Sequence, residues 1–172
     1  AVGIPSQPNT FYFGGADGGV WKTNDAGLTW QPMFQQQGSI SIGALAIAPS
    51  NPDIIYVGTG QPEPRYDIVG GDGMYRSADG GKTWTHIGLE DTRHIGRIWI
   101  DPKDPDTVVV AAVGHFFGAN DQRGVFRTTD GGKHWQKVLF TNAETGAVDL
   151  AADDAHPQDV CGHLAAADVS LV

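Results

Sequence analysis

Apolar residues in this chain come in short runs, each closed by glycine, proline or a polar turn. Phe11-Tyr12-Phe13, Ile54-Ile55-Tyr56-Val57 and Val108 to Val113 have the length of buried strands. The last is the longest and falls far short of the roughly 20 apolar residues a membrane-spanning helix needs. A second kind of run alternates. Gly19-Val20-Trp21-Lys22-Thr23, Gly73-Met74-Tyr75-Arg76-Ser77 and Gly124-Val125-Phe126-Arg127-Thr128 each read glycine, apolar, aromatic, basic, hydroxyl. In an extended strand this pattern puts Trp21, Tyr75 and Phe126 on the face of the hydroxyl residues, and Lys22, Arg76 and Arg127 on the other.

Each alternating run leads into a second shared segment. Asn24 to Trp30, Ala78 to Trp84 and Thr129 to Trp135 all place an aspartate second, a glycine fourth and a tryptophan last. Asp25, Asp79 and Asp130 therefore recur at a nearly constant spacing of about 50 residues. A Pro-rich turn precedes each hairpin: Ile4 to Asn9, Ile47 to Asp53 and Ile100 to Asp106. One period holds four strand candidates: before the Pro-rich turn, after it, before the aspartate and after the tryptophan. Four strands per period of this length make a propeller blade. The chain is thus expected to be all-β, an incomplete β-propeller of about three four-stranded blades with the start of a fourth. The periods divide it at 1–36, 37–90, 91–141 and 142–172. Asp153 to Pro157 reads as the turn of the fourth blade, but the alanine-rich Cys161 to Ala167 lacks strand character. The tail is therefore expected to be a truncated blade whose end is foreign to the fold.

The hairpin residues have a physical logic. Hydroxyls of Thr23, Ser77 and Thr128 and carboxylates of Asp25, Asp79 and Asp130 can satisfy turn amides that the strand ladder cannot reach. Gly27, Gly81 and Gly132 supply a positive φ, and Trp30, Trp84 and Trp135 each bury a large flat surface on the returning strand. All twelve residues read as scaffold rather than catalysts.

Composition narrows the function. A formal net charge of −9 argues against nucleic acid and against an anionic membrane surface, and leaves peptides, proteins and glycans as partners. Twenty-four glycines and ten prolines suit many tight turns, and the single cysteine forbids an internal disulfide framework. His156, Cys161 and His163 fit no zinc spacing, and no P-loop, G-x-S-x-G or H-E-x-x-H is present. No metal or cofactor is expected.

The segments Thr23 to Trp30, Ser77 to Trp84 and Thr128 to Trp135 resemble the Asp-box, or bacterial neuraminidase, repeat. Together with Gly58-Thr59-Gly60, His94-Ile95-Gly96-Arg97 and Arg123 to Arg127, they are similar to bacterial sortilin-type and glycosyl-hydrolase-like propellers. The resemblance implies that the Asp boxes lie on the rim away from the ligand. The connections between second and third strands, and between fourth and first, then form the ligand face. Residues expected there are Glu63, Arg65, Tyr66 and Asp67 in one loop and His115, Phe117, Asp121 and Arg123 in another, with His94 and Arg97 adding cationic contacts. Asp17, in Phe13 to Trp21, is similar to a catalytic aspartate that precedes a glycine pair in xyloglucanases, although the spacing departs by one residue. Hydrolysis of a glycosidic bond needs two carboxyl groups, so Asp17 alone is not a mechanism. Two functions follow as expectations: an extracytoplasmic scaffold binding a peptide, protein or glycan on its loop face, completed by the remaining blades of a larger propeller, or a portion of a glycoside hydrolase.

Overall fold

The computed structural model describes residues 1–63, 67–152 and, as backbone, 160–166. Three four-stranded antiparallel sheets follow one another along the chain. The first contains β1 (Val2–Ile4), β2 (Gln7–Gly15), β3 (Gly19–Thr23) and β4 (Gln31–Pro32). The second contains β5 (Ile42–Ile47), β6 (Ile55–Thr59), β7 (Met74–Ser77) and β8 (Thr85–His86). The third contains β9 (Ile95–Ile100), β10 (Val108–Ala112), β11 (Gly124–Thr128) and β12 (Gln136–Leu139). In each, spatial order equals chain order, the meander of a propeller blade. The register repeats too: Phe11, Ile55 and Val108 lie opposite Thr23, Ser77 and Thr128.

A two-stranded sheet pairs β13 (Thr145–Ala152) with β14 (Val160–Ala166). Here the structure departs from the expectation that the alanine-rich segment lacks strand character, because residues 161–166 of it form a strand. Alanine's weak β preference yields to context, since a neighbouring strand already offers a ladder of backbone partners. The expected turn at 153–157 lies outside the described residues.

The apolar core lies between blades. Ile4, Tyr12, Val20 and Phe34 of the first blade pack with Ile42, Val57 and Tyr75 of the second. Tyr56 and Met74 of the second pack with Ile95, Ile98 and Val110 of the third. The inner strands approach closely, β5 against β9 and β9 against β13. The second residue of β9 is glycine for this reason: a Cβ on Gly96 would run into the backbone of Val148. Gly43 holds the same place in β5, where a Cβ would strike the carbonyls of Gly60 and Ile95.

The three Asp boxes are bonded alike. The hydroxyls of Thr23, Ser77 and Thr128 donate to Oδ1 of Asp25, Asp79 and Asp130 at 2.7, 2.8 and 2.8 Å. The same hydroxyls accept from the amides of Gly27, Gly81 and Gly132, whose φ values are 94°, 88° and 92°. Each carboxylate also takes the amide and the side chain of the residue four further on, Thr29, Thr83 or His134. The hydroxyls of Thr29 and Thr83 are the main reason Asp25 and Asp79 fall from 3.8 to about 2. His134 pulls Asp130 well below the usual carboxylate range.

Beyond the box the blades differ. The Trp84 indole N–H donates to the Met33 carbonyl of the preceding blade at 2.8 Å, and Trp135 donates to Ile87 at 2.7 Å. Tyr12 and Tyr56 brace the same seams, donating to the carbonyls of Gly80 and Pro105, and Arg76 pairs with Asp106 at 2.9 Å. Trp30 does not bury its surface as expected. Its N–H returns to Gly27 of its own turn at 3.1 Å, it meets Phe13 edge-on, and 40% of it is exposed.

Candidate functional site

Alternating strand direction sends the connections to two opposite ends of each blade. At one end the box amides Ala26, Gly80 and Gly131 bond the Pro-rich turns at Asn9, Asp53 and Asp106. At the other, the connections between second and third strands meet those between blades, through Gly19 to Ile40, Gly60 to Ser41, Gly71 to Arg93 and Val113 to His94. This second end carries the candidate site.

Its three second-to-third connections differ in size. In the first blade the chain turns within Ala16–Gly18, with the Gly18 amide on the Gly15 carbonyl at 3.2 Å. Asp17 sits exposed at the tip with φ 55°, a conformation aspartate tolerates better than most residues. In the second blade the chain makes a long excursion from 60 to 73. Glu63 and Asp67 are exposed on it, while Arg65 and Tyr66 lie outside the described residues. Its base is pinned by Asp72, which accepts the Thr59 hydroxyl at 3.1 Å and the Tyr75 hydroxyl at 2.7 Å. Burial first, and then the Asp72 carboxylate, push Tyr75 up to about 12. Asp72 was missed in the sequence because its place, just before the glycine of the glycine–apolar–aromatic run, is held by Gly18 and Arg123 in the other two repeats.

The third blade's connection, 113–123, is held from within. Arg123, expected to reach a ligand, is only 2% exposed. Its Nη1 donates to the Glu144 carbonyl at 2.9 Å, and its Nη2 donates to the carbonyls of His115 and Gly118 at 2.5 and 3.3 Å. A buried guanidinium needs acceptors, and here loop carbonyls supply them. Asn120 closes the same loop, donating to the carbonyls of His115 and Gly118 and accepting the His115 amide. The His115 ring in turn lies 3.0 Å from the Asp91 carbonyl. Phe116 turns inward, whereas Phe117 stands 63% exposed. Asp121 is exposed, its carbonyl bonded by Lys137 and its carboxylate by Gln122 at 3.0 Å.

Two further expectations change. His94 is not a cationic contact. It is 5% exposed against the Phe116 ring at 4.6 Å, and burial lowers it to about 4, so it is neutral at pH 7. Arg97 belongs to strand β9 rather than to a loop, because the turn ends at Ile95. It lines a cleft of about 710 Å³ along the inner strands with Leu45, Ile47 and Trp99, and its Nε lies 3.5 Å from Asp149. Just before His94, Arg93 has φ 58° and ψ −34° while the His94 amide bonds Thr92 at 2.6 Å. That is a strained γ-turn, a feature no residue pattern reveals.

The face therefore offers exposed carboxylates at Asp17, Glu63, Asp67 and Asp121, an exposed aromatic at Phe117 and a partly exposed imidazole at His115. Among the described residues, no group of three or more His, Cys, Asp or Glu is placed to hold a metal ion, and no helix is long and apolar enough to cross a membrane.

A family model described as the BNR/Asp-box repeat matches residues 75–86. The chain is 30% identical over 159 residues to a xyloglucanase of Paenibacillus sp, across 84% of this chain and 14% of that protein. It is 27% identical over 149 residues to xyloglucanase Xgh74A of Acetivibrio thermocellus, across 70% and 16%. The chain thus spans only about a seventh of the length of these curated relatives. Among solved structures it matches an ancestral GH74 enzyme with a TM-score of 0.74 at 24% identity, over 94% of this chain and 21% of that one. It matches YCF48 bound to D1 peptide with a TM-score of 0.56 at 16% identity, over 86% and 42%. At these identities the structural likeness speaks for the fold alone, and fold, register and repeat agree: the chain carries Asp-box repeats on the blades of a β-propeller fold.

Proposed function

We propose that the loop face of this chain binds a neutral glycan, as part of a larger glycoside-hydrolase-type propeller protein. The observation that carries this reading is the xyloglucanase likeness, which runs through 84% of the chain. The chemistry of the face agrees with it. Exposed carboxylates and an exposed aromatic ring suit hydroxyl-rich, uncharged sugars, and a net charge of −9 disfavours polyanionic ones. The remaining blades are its structural partners, and a place outside the cytoplasm, where polymeric glycans are met, goes with the same reading. The test is retention of the intact protein on xyloglucan compared with binding to a panel of peptides. Retention on the glycan supports the reading, whereas binding to peptides alone overturns it.

A second reading makes the intact protein a hydrolase, with Asp17 as one of the two carboxyls such chemistry needs. It is favoured by the position of Asp17, exposed at the tip of a tight turn on the same face. Asp17→Asn should then abolish cleavage of xyloglucan while leaving glycan binding in place. Unchanged cleavage would remove Asp17 from the mechanism.

A further inference from the structure

The 113–123 loop is built around one exposed ring. Phe117 is 63% exposed although its neighbour Phe116 is buried. An apolar side chain on a free loop can fold back onto the surface; this one is held out by its backbone. The carbonyls of His115 and Gly118 bracket the two phenylalanines, and both accept from Arg123 Nη2 and from Asn120 Nδ2. The Asn120 amide is in turn tied to Ala143 in the next connection. Phe116, packed on His94, anchors the inner side. A buried cation committed to loop carbonyls is costly unless it orders something, and what it orders is the segment that presents Phe117.

We propose that Phe117 is an aromatic platform on which one pyranose ring of a neutral oligosaccharide stacks, and that Arg123 and Asn120 are positioning residues that hold it ready. This rests on the glycan reading above and assigns it a place. The ligand class follows from the surroundings. The exposed face of one phenyl ring is a small apolar area beside the contiguous patch a protein interface needs. It matches the amphipathic sugar ring, whose C–H face is apolar and whose hydroxyl rim can bond the polar groups of the loop. Carboxylates at Asp121 and Glu144 nearby would repel an anionic sugar.

The test uses the intact protein and a xyloglucan oligosaccharide, with binding followed by calorimetry. Phe117→Ala should weaken binding about tenfold without moving the unfolding midpoint, and Phe117→Trp should restore it. Asn120→Ala should weaken binding several-fold when Phe117 is present and have no further effect when Phe117 is alanine; a purely structural role would not show that dependence. Wild-type binding that survives Phe117→Ala unchanged overturns the platform and leaves the glycan reading standing. A wild-type protein that binds no oligosaccharide overturns both.

Discussion

The first blade and the second carry the same latch and use it differently. In both, the hydroxyl, the aspartate and the glycine make the same bonds at nearly the same distances. Yet Trp84 reaches across a seam to Met33, while Trp30 bonds its own turn and stays 40% exposed. The far ends diverge as well. The first blade turns within Ala16–Gly18, and the second spends residues 60–73 on the same connection. The inside of an Asp box is therefore local chemistry, complete within one hairpin. What the box does for the molecule depends on whether a neighbouring blade meets its tryptophan. The proposed ligand face is the opposite end, where the repeat is free to vary.

That difference is open to a direct challenge. Trp84→Ala removes a ring packed on Phe34 with its N–H bonded across the seam, and should cost about 3–5 kcal/mol in urea unfolding. Trp30→Ala should cost about 1 kcal/mol, because much of that ring is already in water. Equal losses would mean that the seam contributes nothing beyond the box. Next in size is a pH effect at the other end of the blades. His94 is held neutral and titrates near 4 in the fold against an ordinary value of 6.5, so the unfolded chain binds the extra proton between those values. Stability from this residue is complete above pH 6.5 and drains away as pH falls toward 4, by on the order of 2 kcal/mol. The slope of the unfolding midpoint across that window should vanish in His94→Gln. The aspartates respond lower down. Asp25 and Asp79 are lowered to about 2, so their contribution is full above about pH 4 and is lost as pH falls through 2. Smallest of all is His134→Thr. It restores the residue type found at the same position of the other two boxes and should shift stability by less than about 0.5 kcal/mol at pH 7.

The fold was legible because its signals are local and repeated. Hydroxyl, aspartate, glycine and tryptophan recur in fixed order, and short apolar runs between Pro-rich turns make four strands per period. The tail strand was not legible, since alanines carry little preference and β14 forms because β13 offers a partner. The site was legible only in outline. The resemblance pointed to the loops that hold Glu63 to Asp67 and His115 to Arg123, but side-chain identity did not tell which charges are spent inside the fold. Arg123 and His94 look like ligand contacts as letters; one clamps carbonyls, and the other is buried beside Phe116. Phe117 was expected on the ligand face, but the reason it stands out while its neighbour Phe116 is buried lies in the loop's hydrogen bonds.

The central claim is that ligand binding belongs to the loop face and scaffolding to the box face. Amide shift mapping of the intact protein titrated with a xyloglucan oligosaccharide tests it most directly. The account predicts perturbations in 60–73 and 113–123, with the amides of Gly27, Gly81 and Gly132 unmoved. Shifts centred on the Asp boxes, with the loops silent, would contradict it.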